Sequence, residues 1–279
     1  MTVSDGTLLS VLLDLNTDSW ILRERASKDP TIVFEEFFEA FLSFITTFLM
    51  QNHHNQLVVT IYGVEQPKVI FPVFKGVIAQ NIVAHSQQIS VVNRHLHDTI
   101  LNQMKQVSTK HCSLDACFSR TLCFLNKYAN KDIKKRFLFF NITENPIVSF
   151  MNFMNSVFCY KKSCPIDICQ LHANHSSFLE RASSLTDGMY VRAISSKSLY
   201  GLLTYYFLGE VGVRKEMLLP HDVITTSVPC SCHGKPIENG QAYICTVCLS
   251  ILCQRYDKCP IHTLHWCVCC CLFSLLSSL

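Results

Sequence analysis

The chain has 279 residues, a formal net charge of +3, and a composition that is 49% hydrophobic, 16% charged and 11% aromatic. So much apolar side chain excludes a disordered or fibrous polymer, and so little charge excludes attachment to nucleic acid by bulk electrostatics alone. Cysteine is the outlier: of 16 residues, ten lie between Cys230 and Cys271 and the other six between Cys112 and Cys169. A dense cluster at one end of a cysteine-poor body reads as a metal module on a reduced, intracellular protein rather than a disulfide framework.

Leu8 to Leu15 is a short apolar run that predicts a strand buried on both faces, ending in a polar loop over Asp14 to Asp18. From Ile32 to Gln51, phenylalanines at spacings of three and four predict a broad apolar helix face, with glutamates near its positive end. Leu57–Tyr62 and Lys68–Phe74 read as adjacent strands separated by Gly63 and Pro67. Helices are predicted over Ile89–Val107 and Leu114–Tyr128, then a buried strand over Arg136–Ile142 and a helix from Pro146 to about Lys162. Pro165–Leu171 and Gly188–Arg192 read as strands. They flank a helix over Ser176–Leu185, and a last helix follows over Ser195–Leu208 with Ser195 as its cap.

Strands alternating with helices predict an α/β sandwich around a mostly parallel sheet over residues 1–214. A connector follows over 215–229, then a cysteine-rich module over 230–271 and a tail over 272–279. The membrane signals are weak: the apolar segment Ala40 to Met50 is far shorter than the roughly 20 residues a helical span needs. No basic leader opens the chain.

The strongest chemical signal is Cys245-Thr-Val-Cys248, followed by Cys259-Pro-Ile-His262. Two short knuckles of this kind supply four soft or borderline ligands in a tetrahedron, so Cys245, Cys248, Cys259 and His262 predict a closed, structural zinc site. Such a site leaves no open coordination position for catalysis. Cys230, Cys232, His233 and Cys253 form a looser second set for a further zinc, and Cys267, Cys269, Cys270 and Cys271 read as spare thiols.

Tyr243-Ile-Cys245-Thr-Val-Cys248-Leu-Ser-Ile-Leu-Cys253, preceded by Cys230-Ser-Cys232-His233, resembles the C-terminal zinc finger of the family of subunit 3 of general transcription factor IIH. Phe150-Met-Asn-Phe-Met-Asn155-Ser-Val-Phe158, Pro165-Ile-Asp-Ile-Cys169, Thr186-Asp-Gly-Met-Tyr190 and Met217-Leu-Leu-Pro220 are similar to further segments of that family, in the same order. The resemblance implies a von Willebrand A-like three-layer body and a non-catalytic scaffold in the nucleus. The implied partners are other subunits of the factor's core, chiefly the larger von Willebrand A-type subunit, and the implied roles are promoter opening and nucleotide excision repair. The chain departs from the family in two places. His262 stands where the family has a fourth cysteine, and the segment after Trp266 is apolar and cysteine-rich instead of basic.

Many von Willebrand A domains hold magnesium through Asp-x-Ser-x-Ser after the first strand. Here the segment is Asp14-Leu-Asn16-Thr-Asp18, and Asp14 is expected to cap a loop. Lys127, Lys131, Lys134, Lys135 and Arg136 read as a solvated basic turn, with no aromatic residues interleaved for nucleic acid. Cys169 reads as a core thiol and His172 as a surface residue; His53, His54, His95 and His97 also read as surface. No phosphate-cradling glycine loop or nucleophile elbow is present. Two other readings compete with the scaffold: a RING-like ubiquitin ligase, and a nucleic-acid-binding zinc finger.

Overall fold

The computed structural model describes residues 6–26, 32–63, 67–71, 85–105, 112–128, 133–144, 148, 150–172, 176–193, 195, 198–209, 212–216, 230, 232, 237, 241–245, 250–256, 258–260 and 272–274. The first strand, β1 (Thr7–Asp14), is buried along its whole length. It lies at the middle of a six-stranded sheet, paired in parallel with β2 (Gln56–Tyr62) on one side and β4 (Lys134–Asn141) on the other. β3 (Lys68–Phe71) is antiparallel to β2 at one edge, while β5 (Ile166–Gln170) and β6 (Tyr190–Arg192) extend the parallel part, giving the order β3-β2-β1-β4-β5-β6. Helices cover both faces, so the central strands are buried on both sides and read as mainly apolar runs, with Ser10 and Thr60 as buried hydroxyls within them, instead of alternating.

One face packs against α1 (Thr17–Ala26), α2 (Phe34–Gln51), α3 (His85–Met104) and α7 (Leu199–Leu203). The other packs against α4 (Leu114–Tyr128), α5 (Phe150–Lys161) and α6 (Ser177–Leu185). This is the expected three-layer α/β sandwich with a mostly parallel sheet. The stripe on α2 is buried as its spacing predicts: Phe37, Phe41, Phe44, Ile45 and Phe48 all point inward. Burying each such side chain is worth about 1.5–3 kcal/mol.

Three local expectations are corrected. The polar stretch after Asp14 is not all loop, because α1 starts at Thr17 and places Asp18 in its first turn. That helix has no apolar stripe and is held by Trp20, whose ring meets Phe34 edge-on at 5.1 Å and whose indole N–H donates to the Asp14 carbonyl at 3.3 Å. Ser195 is not the cap of the last helix: α7 starts at Leu199 after Ser198, then widens into a π-turn over Thr204–Leu208. Finally, Arg136 does not belong to a solvated turn. It is only 4% exposed, and its partners lie under that π-turn.

The C-terminal region forms a second, antiparallel sheet of three strands, ordered β8-β7-β9. β7 (Gln241–Ile244) pairs with β8 (Ile251–Leu252) and with β9 (Leu272–Ser274), which lies within the segment 272–279. No helix among the described residues is long and apolar enough to cross a membrane.

Candidate metal centre

In a sheet of this order the chain leaves β1 towards opposite sides, and ligands of such folds bind where the carboxyl ends of the diverging strands part. Here that point is flanked by Asp14 at the end of β1 and by Asn141–Thr143 at the end of β4. Asp14 is 1% exposed. Its Oδ1 accepts the Asn16 N–H at 3.1 Å, and its Oδ2 accepts the N–H groups of Ile142 at 3.2 Å and Thr143 at 2.9 Å. Asn16 in turn donates from Nδ2 to the Thr143 hydroxyl at 3.3 Å. Gly63 completes the cradle with φ +88°, where an added Cβ would sit 2.5 Å from the Asn16 nitrogen and 2.9 Å from Asp14 Oδ1. Burial pushes the Asp14 carboxyl up, against the lowering pull of the Thr143 hydroxyl and the three N–H donors. These bonds are those of the expected loop-capping carboxylate.

The cysteine module brings a different donor set together. All eleven described cysteines are thiols rather than disulfides. The sulfurs of Cys230, Cys232 and Cys253 lie within 4.8 Å of one another, the looser of the two sequence-predicted sets. Cys230 and Cys232 approach to 2.9 Å, and Cys232 and Cys253 to 3.9 Å. The strand pair β7–β8 produces this geometry by returning the chain, so that Cys253, one residue past β8, meets the Cys230-x-Cys232 turn. The Cys253 N–H donates to Cys230 Sγ at 3.2 Å. Burial works against a Cys230 thiolate, yet that N–H and the Cys232 thiol and N–H hold the group below the ordinary thiol value. In the same cluster, Cys253 is pushed up to about 11, by desolvation and by its two sulfur neighbours.

Thiolates bind zinc at about 2.3 Å, so a tetrahedron places its sulfurs about 3.8 Å apart. Cys232 and Cys253 are already at that spacing, and Cys230 has to move less than about 1 Å from Cys232 to reach it. The donor set therefore fits a soft, tetrahedral ion. An N–H aimed at a ligand sulfur is the outer-shell support such sites use. His233, the fourth member, lies outside the described residues.

Of the stronger predicted set, Cys245 and Cys259 are both buried and share one small cluster with Leu252 and Tyr243. The Cys245 N–H donates to the Ser250 carbonyl at 3.0 Å. Cys248, His262 and Cys267 to Cys271 fall outside the described residues.

Sequence spacing missed a buried charge cluster. Asp167 in β5 is fully buried, and Arg214 grips it with both Nη atoms, at 2.6 and 2.7 Å. Arg136 adds a bond to Asp167 Oδ2 at 3.2 Å and donates to the carbonyls of Phe207 in the π-turn at 2.6 Å and of Gly209 just after it at 3.0 Å. The Met189 N–H donates to Oδ1 at 3.1 Å. Burial disfavours the anion, but the two guanidiniums and this N–H hold the Asp167 carboxyl below its usual range. The one available signal was a charged residue inside an otherwise apolar strand. Elsewhere, Cys169 is a fully buried core thiol, whereas His172 is half-buried, 3.9 Å from Glu144, with its pKa lowered chiefly by desolvation.

A family model described as transcription factor Tfb4 matches residues 6–270. The chain is 29% identical over 261 residues to general transcription factor IIH subunit 3 of Dictyostelium discoideum, covering 84% of this chain and 68% of that protein. It is 27% identical over 272 residues to general transcription and DNA repair factor IIH subunit tfb4 of Schizosaccharomyces pombe, covering 92% and 88%. Among solved structures, the TFIIH p34 N-terminal domain superposes with a TM-score of 0.60 at 19% identity, over 74% of this chain and 100% of that one. The SpRpn10 VWA domain superposes at 0.51 with 16% identity, over 73% and 97%.

Proposed function

Because this chain belongs to the transcription factor Tfb4 family, we propose that it is a non-catalytic scaffold subunit of the general transcription and DNA repair factor IIH, acting in the nucleus. The observation that carries the reading is a family match that runs from β1 through the cysteine module, so both units enter it. The body offers its partners surface rather than an open coordination site, since the Asp14 oxygens at the diverging strand ends are taken up by backbone donors. The chief partner is the larger von Willebrand A-type subunit, and the complex supports promoter opening and nucleotide excision repair.

The C-terminal module serves this role as a zinc-pinned knuckle. Cys245, Cys248, Cys259 and His262 hold one structural ion, and Cys230, Cys232 and Cys253, with His233, hold a second. Zinc supplies cross-links that so small a sheet cannot obtain from its own apolar core. The reading is tested by co-expressing the full chain with the other core subunits. Stoichiometric co-elution on size exclusion is expected; a chain that elutes alone, or that transfers ubiquitin in a reconstituted assay, overturns it. Elemental analysis addresses the metal: Cys245→Ser and Cys253→Ser should each lower the zinc content while the α/β body stays folded. Unchanged zinc in both variants would refute the ligand assignment.

A further inference from the structure

A second thiol pair lies far from the cysteine module in sequence. Cys112 precedes α4 and Cys117 sits in its first turn, with their sulfurs 3.3 Å apart. The Cys117 N–H donates to the Ser113 carbonyl at 3.3 Å, which fixes the start of the helix between the two thiols. Cys112 is half-buried and reachable from solvent, whereas Cys117 is fully buried against the α4–α5 side of the core.

The surroundings divide the labour between the two sulfurs. The hydrogen bond from Cys117, assisted by the N–H groups of Gly63 and of Cys112 itself, outweighs burial and lowers the Cys112 thiol to about 7. Gly63 can offer that N–H because its left-handed backbone turns there. The same bond and burial push Cys117 far up, so it keeps its proton as the donor of the pair. Other core thiols are the reverse of Cys112: burial raises Cys164 to about 12 and raises Cys169 as well. An accessible thiolate poised beside a second, protonated thiol is the arrangement of a redox-sensing pair.

We propose that Cys112 and Cys117 form a peroxide-sensitive dithiol, in which hydrogen peroxide oxidises Cys112 and Cys117 closes the product to a disulfide. The Cys112 thiolate attacks one peroxide oxygen, the O–O bond breaks, and the departing hydroxide takes a proton to leave as water, giving a sulfenic acid. The Cys117 thiol passes its proton to the sulfenic oxygen and attacks the Cys112 sulfur. The S–O bond breaks, a second water leaves, and the S–S bond forms. Two thiols and one peroxide thus give one disulfide and two waters. The sulfurs need close only about 1.3 Å to reach bonding distance.

The test uses the full reduced chain, graded hydrogen peroxide, and peptide mapping by mass spectrometry after alkylation. A Cys112–Cys117 cross-link, 2 Da lighter than the dithiol, should be the first product among the six cysteines of the α/β body. Cys117→Ser should leave Cys112 as a sulfenic acid trapped by dimedone. Cys117→Ala, which removes the hydrogen-bond donor, should slow alkylation of Cys112 at pH 7 about tenfold as its thiolate fraction falls. Should the Ala variant not fold, the wild-type mapping and the Ser variant decide the matter alone. Oxidation of exposed Cys123 and Cys159 before Cys112, or a Cys112 that is oxidised without ever pairing with Cys117, overturns the proposal.

Discussion

Asp14 closes β1 and Asp167 is the second residue of β5, two strands away, and both carboxylates are buried, yet they are stabilised by different means. Asp14 meets only dipoles: three backbone N–H groups and hydroxyl or amide neighbours, with no cation in the set. Asp167 meets two full positive charges and one N–H. Burial costs each anion dearly, and only the second has counter-charge enough to offset it, so one carboxyl is pushed up and the other held down. Among buried carboxylates, the partner's charge decides the sign of the shift, and the partner's origin decides what the carboxylate does. Asp14 ties two adjacent loops, whereas Asp167 ties the end of the body to its middle.

The comparison is broken most severely at Asp167. Asp167→Ala strands Arg136 and Arg214 as buried cations and should cost about 3–5 kcal/mol in urea denaturation. A loss under about 1 kcal/mol would show that the cluster is not the charge lock described. Asp14→Ala leaves N–H donors without acceptors but no naked charge, so the expected loss is smaller, about 1–3 kcal/mol by the same measurement.

Acid sharpens the contrast by sign. A folded pKa lowered below 3.8 means that the Asp167 contribution is whole above about pH 4 and is lost as the pH falls below it. The raised Asp14 value acts oppositely: on acidification from neutrality the folded state takes up a proton first, and this group adds stability down to about pH 4. The stability of the wild type relative to Asp14→Asn should therefore rise on mild acidification, whereas His172, whose folded value is lowered, works in the opposite direction below about pH 6.5 in both proteins. The same profile from both proteins would show the sign to be wrong. The smallest effect is expected from magnesium. Because backbone donors already occupy the Asp14 oxygens, millimolar magnesium should leave the melting temperature unmoved, and a clear rise would reopen the strand-end crevice as a cation site.

Much of this architecture was legible before any coordinates. β1 and β4 announced themselves as short, mainly apolar runs, and α2 by its phenylalanine spacing, because burial writes itself into local periodicity. α1 was not legible, since one tryptophan rather than a stripe holds it in place. Nor was the charge cluster: Asp167 and Arg214 are 47 residues apart, and no local pattern pairs a strand acid with a base in the short 3-10 helix over Val213–Glu216. Arg136 was misread because two lysines precede it, while only its inward register in β4 separates it from them. Within the cysteine module, spacing favoured Cys245 and Cys248. The sulfurs seen to converge are those of Cys230, Cys232 and Cys253, which meet through the β7–β8 return and not through a compact motif.

The placement of Arg214 has a consequence for biosynthesis. A chain emerging amino end first presents β5, with Asp167, well before the guanidinium that grips both carboxylate oxygens. Until residue 214 clears the ribosome, that strand can pair with β4 only around a half-neutralised acid, so the nascent sheet has reason to stay open at that edge. Final locking of the body is thus timed to the arrival of the segment that leads into the cysteine module. Force-profile measurements on stalled chains should find the last gain in tension there, rather than when β6 emerges.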